Sequence, residues 1–566
     1  MEKKSLFSER FVVRQILITA LLTVLTIPIA FGGQTKPLPT FSDYGQWEML
    51  TRSGSNGGFS PDGRWLAFGI NRTNGNNELR IKKLADGKTE VVLFGSQAVF
   101  SSDSRWIAYR IGYSEAEQEK LKKAKKPVQN KLGLMNLTTG EMSTIDTIEA
   151  FSFSSDGAYL AMRRYRPERV SGGAAAPGRG DGGGNAPEEP LGMTLIIRQL
   201  SSGRDTTFGN VSQHVWQNSE KSHLLAMTIS ADGKAGNGVH LFDPETTVLR
   251  VLDSSSSVYK GLVWRKDAAD LAVFMDVTDE KKDGPSHAVL SWTGLGKTEH
   301  QLTYDPSSDS SFPAGMRIVS FRPLLWSDDG KVIFLGIGPW KDKIIQPEKG
   351  EKGDSETEVE EPSTIEIWHW KDVFVMPWQK VHANEDRRRN LLSAWHIDSG
   401  KFVQLGKDLI NERIVPIRHT KLAYVMEWSK YAMERSIGRM GADLYLQDIT
   451  TGERTKLKEN INDRYVRSGS SGKYLLFLED NHYWTVDLAT HKITNITKNA
   501  SVSFINMESD STAKIYPDLL QKPPFGVAGW TESDAAVLLY DKYDLWQVAS
   551  DGSKVLQLTE GAKEQI

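Results

Sequence analysis

The chain predicts an all-β fold, a β-propeller of about seven to nine four-stranded blades. Three observations carry that expectation. A phrase of about ten residues recurs, its copies lie at blade spacing, and most copies are followed by a strand, a Gly-centred turn and another strand.

The phrase appears first as FSPDGRWLAF (Phe59 to Phe68), then as FSSDSRWIAY (Phe100 to Tyr109) and FSFSSDGAYLAM (Phe151 to Met162). In each, Asp and Gly tolerate the backbone angles of a tight turn, and an alternating run of aromatic and aliphatic residues follows, so the phrase reads as a turn entering a strand. Degenerate copies begin at Trp216, Trp264, Trp326, Ser468 and Trp530, and a weaker one covers Arg418 to Val425. Their separation of roughly 40 to 60 residues suits a four-stranded blade and exceeds a leucine-rich or helical-pair repeat.

The accompanying hairpins include Leu132 to Ile145 (LGLMNLTTGEMSTI), Leu195 to Phe208, Ser393 to Leu405, Asp443 to Leu457, Tyr483 to Thr497 and Asp544 to Thr559. In most of them T-G, S-G or D-G supplies the turn, as expected of the outer hairpin of a blade. A β-sandwich is the competing architecture, but it has no reason to repeat one phrase at this spacing.

Composition bounds the partners. Of 566 residues 39 % are hydrophobic and 25 % charged, enough for a packed core, and the formal net charge of -3 gives no field directed at nucleic acid or an anionic membrane. The absence of cysteine excludes disulfides, thiol nucleophiles, thiolate zinc sites and an acylated lipoprotein anchor. At the start, Lys3, Lys4, Arg10 and Arg14 precede an apolar stretch from Ile16 to Phe31, and Ala30-Phe31-Gly32 offers a cleavage site. Residues 1–33 therefore read as a signal peptide, with 34–566 as the propeller and a periplasmic or secreted destination. An uncleaved signal anchor is the alternative, and in that case alone a membrane is a partner.

Three segments interrupt the rhythm. Ser114 to Asn130 carries helix formers and i,i+4 charges and is expected to form a short exposed helix. The Gly- and Pro-rich tract 171–190 and the charged tract 347–362 bury nothing and are expected to be disordered. Arg179-Gly180-Asp181 is a chance tripeptide within the first of these.

The sequence offers no catalytic, cofactor-binding or metal-ligating residue. There is no G-x-S-x-G, H-E-x-x-H, Walker loop, dinucleotide fingerprint or EF-hand loop. Gly469-Ser470-Ser471-Gly472 has the wrong spacing for a nucleophile and sits at a repeated turn. His369, His382, His396, His419, His482 and His491 are scattered near strands and turns, as structural histidines are. Asp62, Asp103, Asp156, Asp328 and Asp329 occupy the repeated turn, where a carboxylate caps backbone N–H groups. Trp368, Trp370 and Trp378 are candidates for lining a channel mouth.

IEIWHWKD (Ile365 to Asp372), QKVHANEDRRRN (Gln379 to Asn390), SAWHIDSGKFVQLG (Ser393 to Gly406) and Pro523 to Gly561, which contains YDKYDLWQ, together resemble the propeller region of exported serine peptidases of the prolyl oligopeptidase family. The resemblance runs from about Asp43 to Glu560. The SPDG phrase by itself is shared with many propellers, periplasmic TolB-like proteins included. In that family a catalytic α/β-hydrolase domain follows the propeller. The chain ends at Ile566, before such a domain, so no catalytic residue is carried over and the last propeller strands are expected to be missing. The resemblance implies a non-catalytic, substrate-gating propeller that meets peptide substrates through an absent hydrolase domain. A free-standing TolB-like propeller that binds a protein or cell-envelope partner is the alternative, and a hydrolase built on propeller carboxylates has no positive support.

Overall fold

The computed structural model describes residues 40–51, 58–166, 192–219, 222–231, 236–343, 369–436, 440–509 and 522–564. The leader at 1–33, the tracts 171–190 and 347–362, and Trp368 lie outside the described residues.

The fold is a β-propeller of four-stranded antiparallel meanders. Eight sheets form, and the seven-stranded one is two meanders sharing the long strand Asp205–Trp216, so nine blades follow one another. They cover 48–93, 95–145, 148–208, 211–255, 259–304, 316–404, 412–462, 467–495 and 527–557, and are numbered here in that order. Each copy of the phrase is the turn between the first and second strand of one blade. Two compact units divide the chain, one of residues 1–58, 65–98 and 111–128, the other of 59–64, 99–110 and 129–566.

The smaller unit carries most of blade 1, where Leu79 and Ile81 are fully buried, and the expected exposed helix, Glu115–Lys123. Its start is set by a capping box. Ser114 Oγ accepts the Glu117 N–H at 3.3 Å while the Glu117 carboxylate accepts the Ser114 N–H at 3.0 Å.

In the larger unit, the turn chemistry explains why the phrase recurs. Ser60 Oγ donates to Asp62 Oδ1 at 2.6 Å, and the same oxygen accepts the Arg64 N–H at 3.1 Å. Ser101 and Asp103, Ser154 and Asp156, and Ser327 and Asp329 repeat the arrangement. The carboxylate closes a turn whose next residue is left-handed, Gly63 at φ +69° or Gly157 at +76°.

Within the larger unit, consecutive blades pack face to face. Ala108, Leu132 and Leu134 of blade 2 meet Leu160, Met162 and Ile196 of blade 3, and blades 7 and 8 share Met426, Leu444, Leu475 and Phe477. In three of the four copies that begin with Trp, the indole reaches the preceding blade: Trp216, Trp264 and Trp326 donate to the carbonyls of Ser152, Val215 and Val263 at 3.2, 3.0 and 3.4 Å. Each of these side chains buries an aromatic ring, contributing on the order of 2 kcal/mol, and satisfies its polar atom in the same contact.

Candidate functional site

In an antiparallel meander the first-to-second and third-to-fourth connections share one edge, and the second-to-third connection and the link to the next blade share the other. In the larger unit these edges differ in kind. Along the first, the repeated turns grip one another. The Asp62 N–H donates to Ser104 Oγ at 3.1 Å, Ser155 Oγ to the Gln217 carbonyl at 2.5 Å, and Gln217 Nε2 to the Ala268 carbonyl at 2.8 Å. Arg265 Nη1 donates to the Asp328 carbonyl at 3.0 Å, and Asp328 Oδ2 accepts the His419 N–H at 2.9 Å. Asp534, fully buried, accepts from Ser470 Oγ and from the N–H groups of Ser471 and Lys473 at 3.1, 2.9 and 3.0 Å. The Gly-Ser-Ser-Gly sequence is thus a structural turn.

The second edge carries long connections, among them 278–285, 305–315, 340–390 and 428–440. Here blades 5 and 6 enclose a cavity of about 570 Å³ lined by Val277, Asp279, Glu280, Ser286, Asp305, Phe312, Met316 and Trp340 among others. That volume falls within the range of small-ligand sites.

Its walls are held in place. Arg317 Nη1 donates to the carbonyls of Asp283 and Pro285 at 2.6 and 3.1 Å, Trp340 Nε1 to that of Gly284 at 3.0 Å, and Lys282 Nζ meets Asp342 at 2.7 Å. On the other side Tyr304 donates its phenol to Asp309 Oδ2 at 2.8 Å, and Phe312 lies against Phe402 with ring centroids 5.2 Å apart. Asp305 Oδ1 accepts from the Ser307 N–H and hydroxyl at 2.9 and 2.8 Å and caps the short helix Pro306–Ser308.

Strand register separates the polar groups beside the cavity. Ser286 pairs directly with Val277, another lining residue, so both face the cavity. The next pair, His287 with Asp276, faces the opposite side, where His287 Nδ1 stands 2.9 Å from Asp276 Oδ1 and Lys260 Nζ 2.9 Å from the same oxygen. Burial pushes the His287 imidazole below its usual value; Asp276 opposes the shift, and Lys260 and Arg317 add to it. Ser286 and His287 are therefore not a nucleophile and its base, although adjacent in sequence.

The other histidines named from sequence have structural partners. His369 Nδ1 accepts the Lys371 N–H, His382 contacts the Trp378 carbonyl, His396 that of Ile449, and His482 the Thr497 hydroxyl; His419 and His491 occupy left-handed turn positions. Trp378 stacks between Phe374 and His382 at 3.6 and 3.8 Å, and Trp370 is exposed beside Lys371. Among the described residues no cluster of His, Asp and Glu suits a metal ion.

The chain is similar to peptidase propeller domains. A prolyl endopeptidase structure matches at 11% identity and a TM-score of 0.32, covering 78% of this chain and 55% of that one. The β-propeller domain of the Trilobed protease from Pyrococcus furiosus matches at 12% identity and a TM-score of 0.28, covering 71% of this chain and 94% of that domain. TolB from Acinetobacter baumannii matches at 12% identity and a TM-score of 0.21, covering 46% of this chain and 55% of that one. No family model and no curated protein matches. The chain thus spans little more than half of the endopeptidase, and the likeness is one of fold.

Sequence reasoning named none of the cavity's residues. They come from connections after three different strands and have no common spacing. The one local signal was the run VTDEKKDGP (Val277 to Pro285), a polar connection that carries three acidic residues between two buried strands.

Proposed function

We propose that the chain is a non-catalytic propeller that holds peptides on the long-loop edge of its sheets for a serine peptidase of the prolyl oligopeptidase family. The observation that carries this reading is the division of labour between the edges: one is closed by turn-to-turn hydrogen bonds, the other holds a preorganised cavity. The WHWKD and YDKYDLWQ segments support the family, and export with a leader over residues 1–33 belongs to the same proposal. Chemistry is assigned to the hydrolase, because the cavity's serine and the neighbouring histidine face opposite sides of their strand.

The test uses the purified full chain, a panel of short blocked peptides and a fluorophosphonate probe. Saturable peptide binding read from tryptophan fluorescence, with no cleavage and no serine labelling, is the expected result. Stoichiometric labelling would make the chain an enzyme in its own right. Absence of binding by every peptide would overturn the peptide-holding role and leave the TolB-like reading.

A further inference from the structure

We infer that the cavity between blades 5 and 6 is a subsite for a basic side chain, the guanidinium or ammonium of an arginine or lysine within a peptide. This rests on the peptide-holding reading and names the residue class that the site would select.

The hydroxyl of Ser286 is the first observation. The residue is 2 % exposed, its Oγ has no hydrogen-bond partner among the described residues, and it faces the cavity together with Val277. A buried hydroxyl without a partner is unfavourable, and an entering N–H donor relieves it.

Charge is the second, independent observation. Asp279, Glu280 and Asp305 line the cavity against the single amine of Lys281, while the neighbouring Lys282 is committed to Asp342 at 2.7 Å. Asp305 places one carboxylate oxygen on Ser307, and its other oxygen has no bond to a described residue.

The apolar lining supplies the third requirement. Phe312, Met316 and Trp340 are half-buried, matching the methylene stem that arginine and lysine carry below their charge, and an indole attracts a cation to its face. A carboxylate ligand would meet three like charges, and a purely apolar one would leave Ser286 and Asp305 unanswered.

The test measures fluorescence anisotropy of the full chain with fluorescein-labelled hexapeptides, blocked at both ends and differing only in a central arginine, citrulline or glutamate. Arginine should bind about tenfold more tightly than its neutral isostere citrulline, and glutamate most weakly. Asp305→Asn keeps an oxygen for the Ser307 N–H and should shrink that preference to about twofold, and Glu280→Gln, on an exposed loop, should shrink it less. Ser286→Ala should leave the melting temperature unchanged or raised while weakening the arginine peptide about threefold, which a purely structural serine would not do. Equal binding of arginine and citrulline peptides, or a preference untouched by Asp305→Asn, overturns the subsite and leaves the peptide-holding role intact. Failure of all three peptides, together with the short-peptide panel, removes both.

Discussion

The two edges of the larger unit's sheets are built by the same strands yet differ in what their polar groups join: turn to neighbouring turn on one, loop to its own strand around a cavity on the other. On the repeated-turn edge, the carboxylates of the phrase are consumed by their own turn or by a neighbour's: Asp156 serves Ser154 and Ala158, Asp328 serves His419, and Asp534 serves three donors of blade 8. On the long-loop edge, Glu280 stands exposed, Asp279 is exposed with one oxygen on the Lys281 N–H at 2.9 Å, and the Ser286 hydroxyl is buried without a partner among the described residues. An edge whose donors and acceptors are satisfied internally has little left for a ligand, whereas one with unspent groups around a fixed cavity is prepared for one. The difference teaches that repetition here marks assembly, and it sets the proposed binding role where the repetition is interrupted.

Substitutions break that comparison in order of size. Asp534→Ala strands the Ser471 and Lys473 N–H groups and loosens the contact between blades 8 and 9. It should cost about 3 kcal/mol in urea unfolding. Asp534→Asn, which keeps an acceptor and suits the left-handed backbone at φ +55°, should recover about half.

Trp264→Phe keeps the ring and removes the indole bond to the Val215 carbonyl, for an expected loss of about 1 to 2 kcal/mol by the same measurement.

A pH profile sharpens the comparison at the boundary of the cavity. His287 titrates below its usual 6.5, so below that pH the unfolded chain takes up a proton that the folded one refuses. Its contribution is present above pH 6.5 and is lost as pH falls through the folded value; His287→Gln should flatten that part of the stability curve. Asp443 behaves likewise at lower pH. Burial raises its pKa, but bonds from Tyr431, Lys430, Lys456 and the Asn460 N–H outweigh that and bring it to about 2, so its share of stability is present above pH 3.8 and disappears as pH falls through about 2.

Smallest in stability should be Glu280→Gln on the exposed loop, within about 0.5 kcal/mol of the parent on urea unfolding. Its effect belongs to ligand binding, and a large destabilisation would show that the loop edge is part of the scaffold.

The fold was legible because its signal is periodic. The nine phrases, including the weak copy at Arg418, correspond one to one with blades, and the hairpins named from Gly-centred turns form as expected. Degenerate copies also have a physical reason. Trp216, Trp264 and Trp326 replace the phrase's Phe where the indole donates to the preceding blade. The helices Met376–Arg387 and Ala432–Ser436 were missed, since both lie inside connections where no repeat guides the reading, as were the single turns Phe41–Tyr44 and Gly561–Glu564 outside the blades. The cavity was illegible for the same reason. Ser286, Asp305 and Trp340 meet through strand register and blade packing, and nothing in their spacing along the chain records that meeting.

Hydrogen–deuterium exchange of the full chain, with and without the arginine hexapeptide, addresses the division between the edges most directly. New protection is expected to be confined to the connections at 277–286, 305–316 and around Trp340, with the repeated turns slow to exchange in both states. Protection that appears instead at the turns around Asp156, Asp328 and Asp534, with the loop connections unchanged, would place binding on the edge assigned here to assembly and would contradict it.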